Sequence, residues 1–99
     1  MATSRHSGEE AESIAISALA FIAGDAELLP RFLSITGIEA ASIRQAAREA
    51  GFLAGVLDFL LAHEPSLMRF AAETGTDPAT VAAARRKLPN GDDRFEASV

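Results

Sequence analysis

Apolar residues recur at helical spacing in successive stretches of this 99-residue chain, with helix-breaking residues between them. Ile14, Ala18, Phe21 and Ile22 form the first stripe, which Leu19 widens. Ser7 and Glu10 lie three apart, the spacing of a capping box, and predict a helix starting near Gly8. Gly24-Asp25 stops that helix and starts the next: glycine tolerates a left-handed stop, and a carboxylate accepts a free amide. The second helix is predicted from about Ala26 to Ile35. Pro30 lies in its first turns, and Leu28, Leu29, Phe32, Leu33 and Ile35 supply its apolar face. Thr36-Gly37 closes it. A third helix is predicted from about Ala40 to Ala50, with Ile43, Ala46 and Ala47 facing inward.

Phe52, Leu53, Val56, Leu57, Phe59, Leu60 and Leu61 make the next helix apolar nearly all round, so it should be the most buried element. His63-Glu64-Pro65 breaks the pattern. Leu67, Met68, Phe70 and Ala71 form a fifth helix, closed by Thr74-Gly75. Asp77-Pro78 is a strong start signal for a sixth, which reaches about Leu88 before Pro89-Asn90-Gly91. The expected fold is all-α, a compact bundle of five or six short helices. Residues 1–7 read as a disordered start, 8–88 as one helical domain and 89–99 as a mobile acidic tail.

Residues 31–48 and 69–86 match at a constant offset of 38 residues. Arg31/Arg69, Phe32/Phe70, Thr36/Thr74, Gly37/Gly75 and Arg48/Arg86 are identical pairs, and alanines add to them. Extended upstream, the offset pairs Phe21 with Phe59 and Ile22 with Leu60. A fixed period means one structural unit used twice, so a pseudo-twofold repeat of three helices is expected. The offset also pairs Ser17 with Gly55. Small residues let backbones approach, so the first and fourth helices are expected to cross there.

Composition narrows the chemistry. The absence of cysteine excludes disulfides, thiolate metal sites and a cysteine nucleophile. A net charge of −5 argues against tight non-specific binding to nucleic acid and against an anionic membrane surface. Glu9, Glu10 and Glu12 directly precede the apolar stretch Ile14–Ala23, which disfavours a signal peptide. That stretch is also too short to span a bilayer.

The repeated Phe-x-x-x-Thr-Gly corner resembles a helix-turn-helix. A DNA reader needs base-contacting side chains early in its second helix, yet Asp77, Pro78, Ala79, Ala82 and Ala83 stand there. Arg31 with Arg69, and Arg48 with Arg86, are candidate partner contacts, set against a plain role as surface charges over apolar edges. Asp58 is the only charge in its helix. If buried it needs Arg44, Arg48 or Arg69; the preferred reading is an exposed edge, because buried carboxylates are rare. His63 has no second histidine or carboxylate cluster at ligand spacing and suits a helix C-terminus.

Phe-Leu-Ala-Gly-Val-Leu-Asp-Phe-Leu-Leu-Ala-His-Glu (52–64), Arg-Phe-Leu-Ser-Ile-Thr-Gly-Ile (31–38) and Asp77-Pro78 resemble a family of short alphaproteobacterial helical proteins catalogued as a domain of unknown function. The resemblance covers about residues 11–88. It implies a bacterial cytoplasmic setting and a helical fold, and brings no activity, cofactor or partner. The expected function is a non-catalytic interaction or regulatory module, and the alternative is a degenerate helix-turn-helix nucleic-acid-binding domain. The expected partner is another protein or a second copy of the chain. No metal, cofactor, small-molecule substrate or membrane is expected. Leu33, Met68 and Phe95 are the candidate apolar contacts.

Overall fold

The first of the helices, α1 (Thr3–Ala23), is the longest described, and its deepest positions are three alanines and one isoleucine: Ala11, Ala15, Ala18 and Ile22 are all but inaccessible. A computed structural model describes residues 3–49 and 51–89 of the chain. The others in chain order are α2 (Leu28–Thr36), a 3-10 turn (Ala40–Ser42), α3 (Ile43–Ala46), α4 (Phe52–Leu61), α5 (Glu64–Thr74) and α6 (Pro78–Lys87). The described residues contain no strand, so the fold is all-helical. A radius of gyration of 13.6 Å is that of a compact domain of this length.

Helices α1, α4 and α6 pack on one another, and α5 lies against α4 and α6. The core joins the alanine face of α1 to Ala54, Val56, Leu57 and Leu60 of α4 and to Val81 and Ala84 of α6. Along α4 only Asp58 is exposed, so this helix is as buried as its composition predicts. Phe32 meets Phe52 (centroids 6.0 Å, planes at 88°) and Phe59 (5.4 Å, 83°) edge to face. Phe21 meets Phe70 in the same way (5.5 Å, 69°). These are favoured aromatic geometries.

Both Thr-Gly corners form as the sequence predicts. The Thr36 hydroxyl donates to the Phe32 carbonyl, and the Thr74 hydroxyl to that of Phe70, each at 2.8 Å. Gly37 (φ 75°) and Gly75 (φ 72°) follow in the left-handed region that glycine enters without steric cost. Their amides return to Leu33 and Ala71 and so satisfy carbonyls of the last turn. Asp25 acts as predicted, accepting the amides of Glu27 (2.8 Å) and Leu28 (3.0 Å) as the chain bends by 113° from α1 into α2.

Several expectations are corrected. α1 is helical from Thr3, so Ser7 and Glu10 lie inside the helix; nothing in the preceding residues stops propagation, which adds one hydrogen bond per residue. Gly24 carries no left-handed turn, and its amide continues the α1 ladder to Ala20. The predicted third helix is only a 3-10 turn and one α turn ending at Ala46, because that segment buries no residue fully. Asp77 is extended as a cap requires, yet its carboxylate accepts no amide. The crossing of α1 and α4 does not run through Ser17 and Gly55. Ser17 is exposed, and a Cβ placed on Gly55 would meet nothing within 4 Å. Small residues do line the core faces of both helices, but they are the alanines. Phe95 and the rest of residues 90–99 lie outside the described residues.

Candidate functional site

Between the end of α2, the short α3 and the start of α4 lies an open cleft of about 580 Å³. Its depth follows from local sequence. The glycine corner at Gly37 turns the chain away from α2, and α3 is too short to close over α4. Phe32, Phe52 and Gly55 lie at the helix side of the cleft, while Glu39, Ser42, Gln45 and Glu49 come from the turn, α3 and the segment after it. Phe32 is buried, Phe52 is half-buried, and all four polar residues are exposed. Among the described residues, no cationic side chain lines the space. The size falls within the range of ligand and peptide sites.

A second, wider groove of about 780 Å³ lies between α1 and the α5–α6 corner. Met68, 51% exposed, stands at this groove with Ile14, Ala71 and Ala72, and Glu10 and Asp77 supply negative charge.

The predicted contact residues do not converge. Arg31 is exposed, whereas its repeat counterpart Arg69 is engaged. Arg69 donates to the Asp25 carboxylate and holds its guanidinium carbon 5.1 Å from the centre of the Phe21 ring. The Leu28 amide, then the Arg69 guanidinium and the Glu27 amide, hold the Asp25 carboxyl below its ordinary value. Arg48 borders a small cavity beside Glu12, and Arg86 is exposed in the last turn of α6. Leu33 is half-buried against the core, which leaves Met68 as the exposed one of the two apolar candidates within the described residues. Larger exposures occur at Ile35 (69%), which the sequence assigns to the apolar face of α2, and at Ile16 (56%), which lies off the α1 stripe.

Asp58 lies on the exposed edge, as the preferred reading had it, but its partner is none of the three expected arginines. Arg85 Nε donates to Asp58 Oδ1 at 2.7 Å. His63 follows α4 and also precedes α5 as its N-cap residue, with Nδ1 2.6 Å from the Ser66 hydroxyl. A serine nucleophile needs an accessible oxygen, and Ser66 is 2% exposed, so this pair ties the first turn of α5 to its cap. No cluster of three metal-ligating side chains occurs among the described residues. No single helix there is long and apolar enough to cross a membrane.

The family model described as "Protein of unknown function (DUF3572)" matches residues 8–91. The chain belongs to this family. The DUF3572 span contains every described residue lining the cleft and the groove. No curated protein and no solved structure matches the chain.

The cleft residues escaped sequence reading for a definable reason. Gly55 read as a small residue at a helix crossing, whereas a Cβ placed on it would stand in open space. The signal that could have found it is a glycine at mid-helix among Leu, Val and Phe, where alanine would be about 1 kcal/mol better.

Proposed function

We propose that this DUF3572 protein is a non-catalytic protein-interaction module and that the cleft over Gly55 is its docking face. The observation that carries the reading is Gly55 itself. It weakens α4 by about 1 kcal/mol relative to alanine, yet no part of the described chain approaches where a Cβ would stand. Close approach by another molecule gives that glycine a role. The setting we propose, with the family resemblance in view, is the bacterial cytoplasm.

The nucleic-acid alternative draws less support. Lys87 borders a small cavity beside Glu10, Arg48 borders another beside Glu12, and Arg85 is committed to Asp58. Interleaved acidic groups of this kind weaken phosphate binding.

We read the 38-residue period as a pseudo-twofold relation between residues 14–48 and 52–86. Reciprocal aromatic contacts support it: the offset carries Phe21 onto Phe59 and Phe32 onto Phe70, and the observed pairs are Phe21–Phe70 and Phe59–Phe32.

The test uses the full chain as bait in host lysate beside a Gly55→Leu variant. Leucine restores helix propensity and fills the cleft, so this variant should fold. The expected result is a protein retained by the wild type, lost with Gly55→Leu, and re-forming a complex with the purified wild type. Identical capture by both baits overturns the reading, as does capture of nothing.

A further inference from the structure

The cleft over Gly55 combines three properties that together select its occupant. Its helix side is aromatic, with the half-buried Phe52 ring held by an edge-to-face contact with Phe32. Two carboxylates, Glu39 and Glu49, also line the cleft, and neither has an ion-pair partner among the described residues. No cation among the described residues lines the space.

Resting on the interaction reading above, we infer that the cleft takes an arginine or lysine side chain presented by a partner polypeptide, with an apolar neighbour lying over Gly55. An aromatic face attracts a cation through its quadrupole, and a guanidinium supplies the donors that two carboxylates accept. The fold already uses this chemistry once. Arg69 lies over the Phe21 ring and donates to the Asp25 carboxylate, which is an aromatic-plus-carboxylate cradle filled from within the chain. Phe52 with Glu39 and Glu49 presents the same two components to the outside. The glycine at position 55 leaves the floor low enough for a side chain and its neighbour to descend beside Phe52. A net charge of −5 favours approach of a basic partner at long range.

The test is a random dodecamer peptide library displayed on phage and selected on the immobilised full chain. Selected sequences are then made as free peptides and titrated against the wild type, Gly55→Leu and the Glu39→Gln/Glu49→Gln double variant, each first checked for native helicity. The expected peptides carry Arg or Lys beside an apolar residue. Replacing that basic residue, or making either variant, should weaken binding roughly tenfold or more. Peptides lost with Gly55→Leu that need no basic residue overturn this inference and leave the docking reading standing. Peptides indifferent to Gly55→Leu overturn both, and a library that yields no binder overturns this inference alone. A concentration-dependent dimer that Gly55→Leu dissolves also overturns it, by placing a second copy in the cleft.

Discussion

Arg69 of α5 donates to the carboxylate of Asp25, 44 residues earlier, and so fastens the corner between α1 and α2 to α5. The same carboxylate accepts the amides that begin α2, so one side chain joins three helices. These contacts favour the ionised form and lower its folded-state pKa below the ordinary aspartate value. The sign follows from linkage. Stability from this group is fully present above the unfolded-state value and is lost as pH falls through the folded one. Asp25→Asn keeps a capping oxygen and removes the charge. Urea midpoints measured from about pH 7 down to about pH 2 should therefore separate wild type from variant at neutral pH and converge at the acid end.

The Asp58–Arg85 pair should behave differently. Asp58 is 56% exposed, and pairs of this kind contribute about 0.2–1 kcal/mol. Arg85 has a further interaction of its own and is only 22% exposed. Asp58→Ala should thus cost less than Arg85→Ala. A double-mutant cycle by chemical denaturation should return a coupling energy of about 0.2–1 kcal/mol that shrinks at high salt.

Much of this architecture is legible because it is written locally. Thr36-Gly37, Thr74-Gly75, Asp25 and Pro78 act within four residues of themselves, and the all-round apolar pattern of α4 needs no partner to be read. Long-range relations are not written that way. Asp58–Arg85 and Asp25–Arg69 pair residues 27 and 44 positions apart, and several arginines were equally eligible. The stripe on α1 was misweighted for a related reason. Ile14, Leu19 and Phe21 dominate it by hydrophobicity, but the deepest positions went to Ala11, Ala15 and Ala18, because closely packed helices need small side chains where they meet. The cleft was invisible because it depends on α3 stopping at Ala46, which follows from how little that segment buries.

Burial separates two neighbours on α5. Phe70 is inaccessible and edge-on to Phe21, so Phe70→Ala should cost about 3–5 kcal/mol. That is a large share of the about 5–15 kcal/mol available to a domain, and the variant should lose cooperative thermal unfolding at or below body temperature. Met68 is 51% exposed two residues earlier, and Met68→Ala should shift stability by no more than about 0.5 kcal/mol. Both are measured by thermal melts followed by circular dichroism.

Alanine substitution should divide the glycines by sign, although none of three sites lacks room. A Cβ at Gly37, Gly75 or Gly55 would meet no atom within 4 Å, so crowding cannot decide the outcome. Backbone conformation does. Gly37 and Gly75 hold φ at 75° and 72°, where an L side chain is penalised by roughly 1–2 kcal/mol, so Gly37→Ala and Gly75→Ala should each destabilise by about that much. Gly55 lies inside α4 without a positive φ, and Gly55→Ala should stabilise by up to about 1 kcal/mol. Urea denaturation of the three single variants measures all of this. A stabilised Gly55→Ala protein would mean that the glycine is retained at a cost to folding, as a docking floor requires. A destabilised one would mean that α4 itself needs the glycine, and Gly55 would no longer point to a partner.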